Sequence, residues 1–227
     1  AYLLACGAPF ESVFGIVDAV RATGDIHNLW GHVIKNAASL SARWWMHRRL
    51  WNLDPDFLIV RSEDTSPDRQ FNRAHAQRPF DGKDWWFAGR EMVLNEVQSY
   101  ALLVYLSGGD LVLGDDLPKL NKRGVEILRK VLETPSTRAA RPLDLFGEHD
   151  AIPALWHKEE DEFHFFGVFN WEEDPLRVDI DLVSSGIADA RNIRTFWGEQ
   201  RIDAQDGVVS LELDPRSCEG LVIRKAL

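Results

Sequence analysis

Three sets of carboxylates lie where short apolar runs give way to polar chain. Asp25 follows the run 15–22, Glu63 and Asp64 follow 57–60, and Asp115 with Asp116 follow 111–113. Strands that end in acids and feed directly into helices are how parallel α/β barrels assemble active sites. Two acids flanking a glycosidic bond can cleave it, one protonating the leaving oxygen while the other attacks or activates water. Each acid also has a plainer use. Asp116 directly precedes a helical pattern and reads as its cap. Asp115 can fix a loop or bind a sugar hydroxyl. Glu63 and Asp64 open a long polar segment, and Asp25 can be the turn acid after Gly24.

The elements that would position these acids follow from periodicity. The runs 2–6, 15–22, 57–60 and 111–113 are short and continuously apolar, which suits parallel strands buried on both faces. Trp30, Val33, Ile34, Ala37, Ser41 and Trp44 recur at helical spacing and predict a helix over 29–49. A second helix is expected over 90–106. A third follows Asp116, with Pro118 in its first turn and a stripe through Leu120, Gly124, Ile127, Leu128 and Val131. Between 62 and 86 lies a polar segment of a length that marks a functional or a disordered loop. Near Thr137 the pattern changes. Leu176, Val178, Ile180 and Leu182 alternate with polar residues, as do Val209, Leu211 and Leu213. Further short runs at 152–157, 163–170, 193–197 and 221–225 complete an antiparallel set. The expected organisation is therefore an α/β barrel portion over 1–136 and an antiparallel β-sandwich domain over 137–227.

Composition narrows the chemistry. A formal net charge of −10, with arginines scattered and no basic stripe, argues against nucleic acid or an anionic membrane as the main partner. Nine tryptophans are many for 227 residues. The pairs Trp44-Trp45 and Trp85-Trp86 suit either packing or the stacking of sugar rings. Cys6 and Cys218 lie at opposite ends of the chain and make neither a disulfide framework nor a ligand set, which fits a reducing compartment. The seven histidines show no pair at metal spacing, so neither metal nor cofactor is expected. No run is long and apolar enough for a membrane span, and no signal peptide is visible. The chain opens at Ala1 directly on a strand, which leads to the expectation of an upstream portion.

Several motifs carry a resemblance. Leu4-Ala-Cys-Gly-Ala-Pro9, Gly15-Ile-Val-Asp-Ala-Val-Arg21, Asp25 and Trp30 resemble the second half of the melibiase barrel, the retaining α-galactosidases of glycoside hydrolase families 27 and 36. Trp51-Asn-Leu-Asp-Pro-Asp56 is similar to an element before the seventh barrel strand in that group. Ser107-Gly-Gly109 with Gly114-Asp-Asp-Leu117 is similar to one around the eighth. Phe166-Gly-Val-Phe-Asn170 and Asp214-Pro-Arg-Ser217 fit the C-terminal β-domain. The resemblance implies strands 5 to 8 of a (β/α)8 barrel followed by a β-sandwich, acting on terminal α-galactosides without a cofactor. Asp25 would be the general acid/base in an Arg-x-x-x-Asp element. Arg21, Cys6, Gly7 and Asp115 would be substrate contacts. Cys6 also reads as a small buried hydrophobe, and an Arg21 too close to Asp25 would lower the acid's pKa and oppose its role. Asp54 and Asp56, placed before the predicted strand, are open to either a structural or a sugar-binding role.

Two departures limit the carry-over. The nucleophile of the resembling enzymes is an aspartate at the end of the fourth strand, which has no counterpart here. Gly114 stands where their acidic element carries serine. The expectation is the C-terminal portion of a retaining α-galactosidase-like enzyme, inactive alone and completed by the missing half of the barrel or another subunit. The alternatives are a non-catalytic sugar- or subunit-binding fragment, or part of a raffinose-type galactosyl transferase.

Overall fold

The computed structural model describes residues 1–73, 89–136, 138–146, 152–187 and 192–225. Strands β1 (Leu4–Ala5), β2 (Ala19–Arg21) and β3 (Asn52–Asp54) form a parallel sheet in that order, with Ala5 opposite Val20 and Val20 opposite Leu53. Helix α1 (Phe10–Val13) follows β1 and α2 (Trp30–Arg43) follows β2. Past β3 come α3 (Arg69–Asn72), α4 (Leu94–Ser107) and α5 (Lys122–Glu133). Ala19, Val20 and Leu53 are fully buried, as the continuous apolar runs required.

The strands are shorter than the runs that predicted them. Gly15 takes a left-handed φ of +74° and turns the chain, so only Ala19–Arg21 of the run 15–22 pairs as a strand. The third strand lies at Asn52–Asp54, before the run 57–60. That run and the predicted strand 111–113 meet only in a parallel bridge, Leu58 to Leu113, closed by the Leu58 N–H on Val112 O (2.7 Å) and the Gly114 N–H on Leu58 O (3.0 Å). The Asp110 N–H also donates to Leu53 O at 2.8 Å. Residues 109–114 therefore run alongside both β3 and 58–60. Gly109 permits this approach, since a Cβ there would lie 2.1 Å from the Leu53 carbonyl oxygen.

Helix α2 buries Val33, Ala37 and Leu40 as its spacing predicted, and a 3-10 turn (Trp44–Met46) extends it. In α4 every residue from Ser99 to Ser107 is buried. A helix apolar on all sides needs cover on all sides, and α4 is enclosed between the parallel layer and the β-domain. Helix α5 is capped by Asn121, whose side chain accepts the Gly124 N–H at 3.1 Å. Asp116 instead precedes a 3-10 turn (Leu117–Lys119) and makes no capping bond.

The C-terminal part contains a six-stranded antiparallel sheet in the order β4 (Arg141–Pro142), β5 (Leu155–Glu159), β6 (Phe163–Asn170), β11 (Ser217–Arg224), β8 (Ile193–Thr195), β9 (Arg201–Ile202). A second sheet pairs β7 (Leu176–Asp181) with β10 (Val208–Leu213). Alternation along β6 sends Phe166 and Val168 to one face, where they meet Ile180, Val209, Leu211 and Leu221 between the sheets. Phe165 and Phe169 face the other way, into the core that includes α4. The Tyr105 and Phe165 ring centroids are 4.8 Å apart, and fully burying a side chain of this size contributes roughly 2–3 kcal/mol.

Candidate functional site

Parallel strands place their C-terminal ends on one rim. Arg21 ends β2, Asp54 ends β3, and Cys6 lies immediately past β1. The Arg21 guanidinium is held on three sides. Its Nε donates to Asp54 Oδ2 at 2.7 Å, Nη2 lies 2.9 Å from Asp56 Oδ1, and Nη1 reaches Asp25 Oδ1 at 3.4 Å. The partners differ sharply in environment: the Asp25 side chain is 76% exposed, those of Asp54 and Asp56 only 3% and 2%. Burial disfavours the Arg21 cation, but the Asp54 hydrogen bond and the charges of Asp54 and Asp56 prevail and raise its pKa. Burial pushes the Asp56 carboxyl above the usual range, opposed by the Ile26 and Phe57 N–H groups and by Arg21.

Asp56 links the two sides of the site. Its Oδ2 accepts the Ile26 N–H at 2.6 Å, directly after Asp25, and its own N–H donates to Asp54 Oδ1 at 2.8 Å. Its φ is +74°, left-handed for a non-glycine residue. The placement of Asp54 and Asp56 differs from the sequence expectation, which put them ahead of their strand. With the ladder at Asn52–Asp54, both acids stand on the same rim as Arg21.

The remaining candidates divide. Cys6 is exposed, not a buried hydrophobe, and close enough to Arg21 to affect it electrostatically. Gly7, at φ +69°, forms the turn that leaves β1. Asp115 lies with Arg61 in a second ion pair at 2.7 Å and accepts the Val60 N–H at 2.5 Å, its side chain fully buried. Burial raises the Asp115 pKa against the pull of Val60 and Arg61. Its carboxylate is thus committed to the chain, and of its two readings the loop-fixing one describes these contacts. Gly114 has a local cause: a Cβ there would lie 2.7 Å from Phe57 Cβ and 2.9 Å from Ile59 Cγ2.

Other side chains reach elsewhere. Asp18 accepts the Leu3 N–H at 2.8 Å, at the start of the strands. Trp44 and Trp45 follow the end of α2 and line a cavity of about 390 Å³ with Arg48, Arg49 and Arg138, away from the rim. Trp85-Trp86 and most of the predicted loop 62–86 lie outside the described residues. Two histidine pairs form that spacing did not suggest, His27 with His32 (Nδ1 to Nδ1, 3.3 Å) and His157 with His164 (3.2 Å). Among the described residues, no three His, Cys, Asp or Glu side chains gather as a metal site. A cavity of about 680 Å³ lies between α5 and the six-stranded sheet, lined by residues including Lys130, Phe163, Arg194 and Arg224, with neither Arg21 nor Asp25 in its wall.

No protein-family model matches the sequence. Solved structures do match the fold. A candidate α-galactosidase of Bacteroides fragilis has a TM-score of 0.70 at 17% identity, over 100% of this chain and 47% of that one. A family 27 β-L-arabinopyranosidase from Geobacillus stearothermophilus has a TM-score of 0.69 at 18% identity, over 97% of this chain and 48% of that one. The α-galactosidase of Saccharomyces cerevisiae, solved with raffinose, has a TM-score of 0.63 at 8% identity, over 93% of this chain and 60% of that one. The chain thus spans about half the length of these proteins. At such identities the likeness establishes the fold, that of α-galactosidase-type glycosidases over nearly the whole chain.

Proposed function

We propose that this chain is the C-terminal portion of a retaining glycoside hydrolase acting on terminal α-galactosides, with Asp25 as its general acid/base. The observation that carries this reading is the Arg21–Asp25 pair, four residues apart, on the strand-end rim of a chain whose fold matches such enzymes from end to end. Asp25 is the exposed member of its cluster and so the one open to a substrate. It would protonate the leaving oxygen and then take a proton from the water that releases the sugar. Arg21 would hold a sugar hydroxyl beside it, with Cys6 and Gly7 contacting the substrate at the end of β1. Asp115 would act through the loop it fixes with Arg61. A second carboxylate must attack the anomeric carbon, and in this reading it belongs to the other half of the barrel.

The edges of the parallel layer support an incomplete barrel, with β1 to β3 and the 109–114 segment as strands 5 to 8 and a domain boundary at 136–137. Leu3 and Leu4 at one edge and Leu111 and Val112 at the other are 37–51% exposed. Two apolar edges call for strands to cover them, supplied by the missing half or by another subunit.

The test is turnover of α-galactosides by the full-length protein that carries this chain. Asp25→Ala should cost on the order of 10³-fold in kcat/KM on an alkyl galactoside and far less in kcat/KM on an activated aryl galactoside, whose leaving group needs no proton. Equal losses on both substrates would refute the acid role, and robust turnover by the isolated 227-residue chain would refute the missing nucleophile.

A further inference from the structure

The geometry points to Asp54 and Asp56 as positioning residues that set the pH range and the orientation of the Asp25 acid, acting through Arg21 and the Ile26 amide. This rests on Asp25 being the general acid/base. Such a group must hold its proton until the leaving oxygen takes it. A lone guanidinium 3.4 Å away would favour the ionised carboxylate and drive the proton off. Arg21 is not alone: two buried carboxylates sit behind it at 2.7 and 2.9 Å. Both buried carboxyls draw on the guanidinium from behind, and burial limits the screening of these contacts by water. Arg21 can therefore donate hydrogen bonds toward Asp25 and a sugar while its charge is shared with Asp54 and Asp56.

The second effect is mechanical. The same Asp56 carboxylate grips the Ile26 N–H at 2.6 Å and so fixes the backbone beside Asp25. The left-handed turn at Asp56 is a strained conformation of the kind kept where surrounding contacts determine it. Other polar groups facing the trio are the Cys6 thiol past β1, Asn36 on α2, and the Tyr100 hydroxyl on α4, which donates to Phe57 O at 2.9 Å. Burial raises the Tyr100 pKa well above its usual value, so it stays neutral. His27 and His32, which contact each other, lie on the segment that continues from Asp25.

The experiment compares kcat/KM against pH for an alkyl α-galactoside in the full-length protein and its Asp56→Asn and Asp54→Asn variants. Asparagine tolerates a left-handed φ and its Oδ1 still accepts the Ile26 N–H, while its Nδ2 replaces the oxygen that faces Arg21, so Asp56→Asn removes the charge and the Arg21 contact together and keeps the grip on the backbone. Arg21 is then less compensated, and the alkaline limb should move to lower pH, with kcat falling more than KM rises. An alkaline limb that stays in place while activity drops by one factor at every pH would mark a merely structural role and overturn the proposal. A second measurement needs no turnover. In this chain, Asp56→Ala should speed exchange of the Ile26 amide at least about tenfold relative to the Ala22 amide, which bonds the Asp54 carbonyl at 2.9 Å. Unchanged Ile26 protection would overturn the mechanical half. An unmoved limb beside a normal Asp25→Ala signature sinks the positioning alone, whereas equal Asp25→Ala losses on alkyl and aryl substrates sink the acid reading beneath it.

Discussion

Replacing Arg216 with methionine should destabilise the protein by about 2 kcal/mol, because it removes one of four donors to a fully buried carboxylate. Glu96 of α4 is 0% exposed. It accepts two bonds from Arg90 at 2.8 Å, the Val93 N–H at 3.0 Å, and Arg216 Nη1 at 2.9 Å. Arg216 also pairs with Glu173 and lies 5.9 Å over the Trp30 ring, so it ties the β-domain to both α4 and α2. A hydrogen bond to a charged group is worth about 1.5–3 kcal/mol. The Arg216 side chain is a quarter exposed and Arg90 remains in place, which keeps the loss below the roughly 3–5 kcal/mol of a completely broken buried pair. Methionine retains much of the aliphatic stem, so the change reports the guanidinium rather than packing. Urea unfolding followed by tryptophan fluorescence is the assay. For a chain of this size the loss corresponds to a fall in Tm of roughly 6 °C. Glu96→Gln should cost about 3 kcal/mol, and the double variant should reveal a coupling of about 1–2 kcal/mol. A buried pair is screened little by salt, so these values should hold from low to high salt. A loss for Arg216→Met under about 0.5 kcal/mol, or zero coupling with Glu96, would refute the clamp.

Two further outcomes follow from single residues. Gly114→Ser, which restores the residue usual in the resembling enzymes, should destabilise by about 1–2 kcal/mol in urea, since its Cβ would overlap Phe57 and Ile59; an unchanged midpoint would show that the backbone gives way. Burial and the neighbouring His164 hold His157 down to about 4, so below the ordinary imidazole range the unfolded chain binds a proton that the folded chain refuses. Its contribution to stability is therefore lost as pH falls from about 6.5 toward 4, by about 2 kcal/mol for a partly exposed ring. His157→Phe should flatten that part of the stability–pH curve, and an unaltered slope would assign it to other groups.

What could be read from the chain and what could not divide along a physical line. Helices α2 and α5 and strands β7 and β10 bury the faces that their own periodicity marked, because a stripe of period 3.6 or 2 depends only on residues within the element. Register between parallel strands is not local in that sense. The run 57–60 is more apolar than 52–54, yet the ladder forms at Asn52–Asp54, where the partner amides and carbonyls of β2 lie. That difference of a few residues hid the site's architecture, since it decides which end of the strand Asp54 and Asp56 occupy. The cap of α5 was misplaced for a related reason. Asp116 and Asn121 both precede helical residues, and only the intervening 3-10 turn selects Asn121. The Glu96–Arg216 clamp joins residues 120 positions apart, which no spacing rule reaches.

The charge balance at Arg21 shows this division at the site itself. Arg21 and Asp25 lie four positions apart, so their pairing was legible, and with it the question that a neighbouring cation raises for the proposed acid. The compensating charges come from 33 and 35 residues further along, through a strand pairing and a left-handed turn. Seen as isolated residues, Asp54 and Asp56 were two acids in a loop. Folded against β2, they are the buried carboxyls behind Arg21, and for the acid role proposed for Asp25, Asp56→Asn is the substitution that separates a positioning part from mere packing.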